Sequence, residues 1–156
     1  MARKVAINGL GRIGRAALKL LMETPDLDLV AVNDIGSLEN MAYLLRYDTV
    51  YGRYERSMEP TDGTLIVGGK RISYLSERDP AQLPWRELGI ELVFECTGRF
   101  TKQEDAAKHL QAGATWVILS APTSSVDVPT VIHGVNRPAG DQFIISCASC
   151  TTNNIT

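Results

Sequence analysis

Three glycines near the start of the sequence have the spacing of a phosphate-binding turn. The apolar residues 5–7 predict a buried strand, which leads into Gly9-x-Gly11-x-x-Gly14 and then into a helical pattern of apolar residues. In such a turn Gly9 permits the tight bend, Gly11 lets the backbone approach a phosphate, and Gly14 lets strand and helix pack closely. The free amides and the positive end of the helix dipole then face the anion.

An acidic residue stands where this type of site needs one. A second apolar stretch, residues 29–32, ends in Asn33-Asp34, and Asp34 follows Gly14 by 20 residues. At this position a carboxylate accepts hydrogen bonds from an adenosine ribose. Alone, Asp34 would be interpreted as a strand-end cap, but together with the glycines it predicts a dinucleotide site. The intervening helix is expected to bury Ile13, Ala16, Ala17, Leu20 and Leu21.

A cysteine near the other end of the sequence has the surroundings of a nucleophile. Residues 143–145 predict a strand that leads towards Cys150, and Ser149 is placed to cap a helix that begins near Thr151. A thiol at a helix N-terminus has its thiolate stabilised by free amides, which can also bind an oxyanion. Two alternatives remain open: a buried structural cysteine, and a redox dithiol formed by the CxxC motif of Cys147 and Cys150.

The two histidines give no clear indication of catalysis or of a metal. No second CxxC motif or histidine pair accompanies Cys150, so a zinc site is not predicted. His109 and His133 are interpreted as surface or locally satisfied side chains rather than as bases for Cys150.

Strand and helix patterns alternate along the chain, which predicts an α/β fold. We expect a Rossmann-type, doubly wound, mostly parallel sheet with helices on both faces and a small β-hairpin within residues 65–74. The polar stretches that follow the predicted strands should then share one edge of the sheet. Two local expectations are a capping box of Thr101 and Glu104 at a helix start, and a strand at residues 131–132.

Composition limits the class of protein and its partners. The 156 residues are 44% hydrophobic and 22% charged, which is typical of a globular domain. A net charge of −2 gives no reason to expect nucleic acid or an anionic membrane as a partner. No apolar run has the length of a membrane helix or a signal peptide, and three cysteines do not indicate a disulfide framework. A cytoplasmic location is therefore expected.

With these motifs in order, the whole chain resembles the glyceraldehyde-3-phosphate dehydrogenase family. Residues 8–14 are similar to the family's opening signature, and residues 149–153 are similar to its active-site signature. Shorter stretches also match in order and spacing: residues 47–49, 77–80, 96–98, 120–122 and 134–136.

The resemblance implies an NAD site. The backbone of Arg12 and Ile13 would bind the cofactor, Asp34 would bind the adenosine ribose, and Arg78 would lie near the adenine. NADP is less expected, because Asp34 should repel a 2′-phosphate. The full set of expected cofactor-binding residues is Asn8, Gly9, Gly11, Arg12, Ile13, Gly14, Asn33, Asp34, Arg78, Thr97, Gly98, Phe100, Ser120 and Ala121.

The resemblance also implies a reaction for the parent protein. Cys150 would attack a triose phosphate aldehyde, and hydride transfer to NAD would leave a thioester that inorganic phosphate cleaves to an acyl phosphate. Ser149 and Thr151 would bind substrate and phosphate. The parent would be a homo-oligomer. Erythrose-4-phosphate dehydrogenase and a non-catalytic dinucleotide-binding module are the alternatives.

The same resemblance implies a domain boundary near the active-site signature. Residues 1–150 would form the dinucleotide-binding domain, and residues 151–156 would begin the catalytic domain. This stretch by itself is expected to bind NAD weakly without turnover, and to expose an apolar patch that favours self-association.

Overall fold

The computed structural model describes residues 1–138, 140 and 142–148, which contain ten strands and four α-helices. The strands are β1 Arg3–Asn8, β2 Leu27–Asn33, β3 Tyr47–Asp48, β4 Gly52–Arg53, β5 Met58–Thr61, β6 Thr64–Val67, β7 Lys70–Leu75, β8 Leu92–Glu95, β9 Trp116–Leu119 and β10 Ile144–Ser146. The helices are α1 Arg12–Leu21, α2 Leu38–Arg46, α3 Trp85–Leu88 and α4 Gln103–Gln111, with a short 3-10 helix at Pro80–Gln82.

Eight strands form one sheet in the order β10-β9-β8-β1-β2-β7-β6-β5. The pairs from β10 to β7 are parallel, and β7, β6 and β5 are antiparallel. The predicted α/β class, the mostly parallel sheet and the hairpin are confirmed. The hairpin strand β7 also joins the main sheet beside β2. Within the part of the chain described, no helix is long and apolar enough to cross a bilayer.

Helices cover both faces of the sheet, as expected. Along β1, Val5 and Ile7 pack in a cluster with side chains of α1 and α2, whereas Ala6 packs in a cluster with Trp85 of α3. We call the side covered by α1 and α2 the first face, and the side covered by α3 and α4 the second face. The alternation along β1 is the period of two that a strand buried on both sides must have.

The predicted inner face of α1 is wrong by part of a turn. Ile13 and Leu20 are 57% and 67% exposed, whereas Gly14, Leu18 and Leu21 are buried. The reason is the close contact between helix and turn at Gly14, where an added Cβ would overlap the Gly9 carbonyl oxygen. This contact fixes the rotation of α1, so the buried stripe follows Gly14.

The predicted capping box is also wrong. The helix α4 has Lys102 at its N-cap, and no side chain caps it there. The first helical amide, that of Gln103, donates instead to the hydroxyl of Ser125 at 3.0 Å. An acceptor from a distant loop therefore replaces the local cap that Thr101 and Glu104 would have formed.

Residues 131–132 do not form the expected strand. Thr130 makes a single parallel bridge with Ser146. The pairing does not continue, because the Asn136 side chain bonds to the next backbone groups along this segment. The Asn136 side chain accepts from the amide of Ile132 at 2.6 Å and donates to the carbonyl of Thr130 at 2.9 Å.

Candidate functional site

A cleft of about 260 Å³ lies at the carboxyl ends of β1, β2 and β8. This is where ligands bind in open parallel sheets, and the volume is just below the range of small-molecule sites, roughly 300–1,000 Å³. Eight of the predicted cofactor residues line it, namely Asn8, Gly9, Gly11, Asn33, Asp34, Arg78, Thr97 and Phe100.

The glycine turn has the geometry that its spacing predicts. Gly9 has a φ of +94°, and a Cβ there would lie 2.8 Å from the backbone nitrogen of Thr97. At Gly11, the N-cap of α1, a Cβ would meet no described atom within 4 Å. No side chain caps α1, so its first amides are available to an anion. Gly9 and Gly14 thus serve packing, and Gly11 keeps the helix start accessible.

Asp34 holds this turn in addition to lining the cleft. One carboxylate oxygen accepts from the amide of Leu10 at 2.7 Å, and the other accepts from the amide of Gly36 at 2.8 Å. The guanidinium of Arg15 donates to the carbonyl of Leu10 at 2.9 Å. Both backbone groups of Leu10 are therefore fixed. The role of Arg15 was not predicted, because nothing in the spacing distinguishes it from a solvent-exposed arginine.

The side-chain amides of Asn8 and Asn33 are used inside the protein. Asn33 donates to the Asn8 amide oxygen at 2.7 Å and to the Glu77 carbonyl at 2.9 Å, and it accepts from the Glu77 amide at 2.8 Å. Asn8 donates to Glu95 at 2.6 Å. Both asparagines are buried and form part of the wall of the cleft. Through Asn33, the loop at Glu77 is bonded to this wall.

Glu95 and His109 form a buried pair beneath the cleft, and neither belongs to a motif that predicts a site. His109 is fully buried, 3.0 Å from a carboxylate oxygen of Glu95 and 3.0 Å from the indole nitrogen of Trp85. The interpretation of His109 as locally satisfied is confirmed, and its surface alternative is wrong. The available signal was its three-residue spacing from the inner residue Ala106, which places both side chains on one face of the helix.

The remaining cofactor candidates lie around the cleft rather than in its lining. Arg12 and Ile13 are exposed in the first turn of α1, and Gly98 is exposed with a φ of +71°. Ser120 and Ala121 follow β9, and the Ser120 amide donates to the Glu95 carbonyl at 3.0 Å. Their roles remain predictions.

Two of the three cysteines are described. Burial raises the pKa of Cys96 to about 11, despite an opposing hydrogen bond from Ser120, and desolvation also raises the pKa of Cys147. Neither thiol is thus activated. Ser149, Cys150 and Thr151 lie outside the described residues, so the nucleophile and dithiol hypotheses remain predictions. Among the residues that are described, no group of His, Cys, Asp and Glu side chains could hold a metal ion.

Comparison with known proteins is consistent with this geometry. Residues 3–103 match the family model described as "Glyceraldehyde 3-phosphate dehydrogenase, NAD binding domain". Proteins named glyceraldehyde-3-phosphate dehydrogenase are 49% identical in Geobacillus stearothermophilus, 47% in Clostridium pasteurianum and 47% in Thermotoga maritima. These matches cover 98%, 96% and 99% of this chain, and 46%, 45% and 47% of the relatives. The chain thus spans about half the length of the relatives it matches.

Proposed function

The chain belongs to the NAD-binding domain family of glyceraldehyde 3-phosphate dehydrogenase, and we propose that its cleft binds the cofactor between the glycine turn and Asp34. The main support for this proposal is the glycine turn, where Gly11 leaves the uncapped start of α1 open beside the cleft. The amides of this first turn would bind the pyrophosphate, as in other dinucleotide-binding domains.

Asp34 supports NAD over NADP. Its carboxylate lines the cleft and is held in place by the amides of Leu10 and Gly36. A fixed negative charge can accept hydrogen bonds from a ribose hydroxyl but repels a 2′-phosphate. Arg78, exposed on the loop after β7, also lines the cleft and would lie against the adenine.

For a protein of the relatives' full length, we propose phosphorylating oxidation of an aldehyde. The bound NAD would supply the hydride acceptor. Cys150 would be the nucleophile that becomes acylated, and inorganic phosphate would release the acyl group. Ser149 and Thr151 would bind triose phosphate and inorganic phosphate. We also propose homo-oligomeric assembly, a cytoplasmic location, and a domain boundary near residue 150.

Calorimetric titration of the chain with NAD, NADP and ADP-ribose tests the cofactor proposal. NAD and ADP-ribose should bind in the millimolar range or tighter, and NADP should bind more weakly. The absence of any heat of binding at millimolar NAD would contradict the proposal.

The variant Gly11→Asp separates ligand binding from folding. Aspartate is a favourable N-cap, so its carboxylate should bond to the free amides of α1 and raise stability by roughly a few tenths of a kcal/mol. The same carboxylate would oppose the pyrophosphate, so we expect NAD affinity to fall by about tenfold or more. Gly11→Asn is the matched neutral control and should lose less affinity. Equal NAD affinity in Gly11→Asp and the unmodified chain would place the pyrophosphate elsewhere.

A further inference from the structure

A continuous series of buried polar side chains lies beneath the cleft on the second face of the sheet. Hydrogen bonds connect Trp85, His109, Glu95, Asn8 and Asn33 in that order, and we call this set the buried polar chain. None of the five is more than 4% exposed. Polar groups are costly to bury unless they are hydrogen-bonded, so the arrangement of donors and acceptors must be specific.

The indole of Trp85 determines the tautomer of His109. An indole nitrogen can only donate, so Nδ1 of His109, 3.0 Å away, must be the acceptor. In the neutral ring the proton is then on Nε2, which lies 3.0 Å from Oε2 of Glu95. His109 therefore donates to Glu95, and Trp85 acts on the carboxylate through the imidazole ring.

Glu95 accepts from four donors. Its Oε2 accepts from His109 and, at 2.6 Å, from the side-chain amide of Asn8. Its Oε1 accepts from the amide of Thr97 at 2.8 Å and from the Thr97 hydroxyl. Two oxygens with two donors each use Glu95 as a carboxylate, because a protonated acid would give up an acceptor position.

These bonds connect the segments that form the cleft. Asn8 immediately precedes Gly9, and the Thr97 amide nitrogen lies only 2.8 Å from the position that a Cβ on Gly9 would take. At the other end of the buried polar chain, Asn33 bonds to both backbone groups of Glu77, the residue before Arg78. The glycine turn, the Thr97 segment and the Glu77 loop are thus positioned through one carboxylate.

We propose that Glu95, oriented by His109, is a positioning residue for the dinucleotide cleft. Glu95 does not line the cleft itself. It acts through Asn8 and Thr97, which line the cleft and whose side chains it fixes. This inference rests on the proposed function, since the cleft has to bind NAD for the positioning to affect affinity. It also assigns Asn8 and Asn33 to the wall of the site, with their amides bonded within the protein.

The variant Glu95→Gln tests the proposal because an amide accepts at one end only. In one orientation its NH2 group faces the Thr97 amide, and in the other it faces Asn8 and His109. Either orientation sets donors against each other at nearly constant side-chain size. Glu91→Gln is the matched control on a partly exposed glutamate, and Leu45→Ala is a control that lowers stability from the first face.

We expect Glu95→Gln to weaken NAD binding about tenfold in calorimetry, at a temperature where the variant is fully folded. Glu91→Gln and Leu45→Ala should each stay within about twofold of the unmodified chain. In hydrogen exchange without ligand, the Thr97 or Glu77 amide should exchange faster in Glu95→Gln, whereas the amides of α2 should not. An equal loss of affinity in Leu45→Ala, or unchanged exchange at both amides, would overturn the proposal.

Nitrogen NMR of histidine in the unmodified chain gives a test that does not depend on the variant folding. His109 should be the Nε2–H tautomer at pH 7, and a proton on Nδ1 would overturn the proposed orientation of Glu95. A failure of the unmodified chain to bind NAD would contradict the proposed function alone. The exchange and NMR results would still decide whether Glu95 positions the cleft.

Discussion

The two faces of the sheet are stabilised in different ways. The first face, beneath α1 and α2, is filled by apolar side chains such as Leu18, Leu45 and Leu65, with Tyr74 at its border. The second face has an apolar cluster around Trp85, and at the carboxyl end of the strands it also contains Glu95 and His109. One face is close-packed hydrocarbon, whereas the other includes a charged, hydrogen-bonded network.

This difference indicates a division between stability and positioning. Apolar packing is non-directional, so it stabilises the sheet without defining where a given backbone amide points. Hydrogen bonds to a buried carboxylate are directional, and an unmatched donor there is costly. We therefore expect first-face substitutions to change stability mainly, and second-face substitutions near Glu95 to change ligand binding as well.

The largest expected loss of stability follows from Leu18→Ala on the first face. Leu18 is fully buried, so the substitution should lower the free energy of unfolding by about 2–5 kcal/mol. Leu20→Ala on the same helix removes a side chain that is 67% exposed, and its effect should stay within about 0.5 kcal/mol. Urea unfolding of both variants measures the difference. Similar losses would mean that α1 is rotated towards the stripe predicted from sequence.

The next largest effect is expected from Trp85→Phe on the second face. The indole N–H that bonds to His109 is lost, which leaves a buried acceptor unsatisfied and should cost about 1–3 kcal/mol. Trp116→Phe is the matched control, because Trp116 is 36% exposed and the effect should be within about 0.5 kcal/mol. NAD affinity should fall in Trp85→Phe only. Affinity that stays constant there would confine the network to a structural role.

The fold and the glycine turn could be predicted because their signals are local. Gly9, Gly11, Gly14 and Asp34 lie within one strand-helix-strand unit, so their spacing alone defines their relation. Short apolar runs similarly predicted the main strands, and the helical spacing of apolar residues predicted the main helices.

The remaining features depend on residues that are distant in the sequence. The partners of His109 are 24 and 14 residues away, and Asn8 meets Glu95 across 87 positions. No local pattern reports such pairings. The rotation of α1 was misassigned for a related reason, since Ile13 and Leu20 give the helix a second apolar side and only the contact at Gly14 decides between them.

An effect restricted to alkaline pH should come from Cys96, which packs against the first-face cluster. Burial raises its pKa from 9.0 to about 11, so the folded state keeps a proton that the unfolded state has released. This contribution is complete below pH 9 and is lost as the pH rises to about 11. The slope is at most about 1.4 kcal/mol per pH unit. Unfolding of Cys96→Ala across this range should show a flatter pH dependence, and an unchanged slope would exclude Cys96 as its source.

The smallest effect distinguishes the two possible caps of α4 on the second face. Ser125→Ala removes the hydroxyl that accepts from the Gln103 amide and should cost about 0.5–1 kcal/mol, the usual range for a lost cap. Thr101→Ala should have almost no effect, since no side chain caps the helix at its N-cap residue. Thermal unfolding of the two variants, with Ser124→Ala as the control on an exposed neighbour, measures the difference. A larger loss of stability in Thr101→Ala than in Ser125→Ala would support the local capping box. It would also show that the start of α4, and with it His109, is positioned by its own sequence rather than by the loop at Ser125.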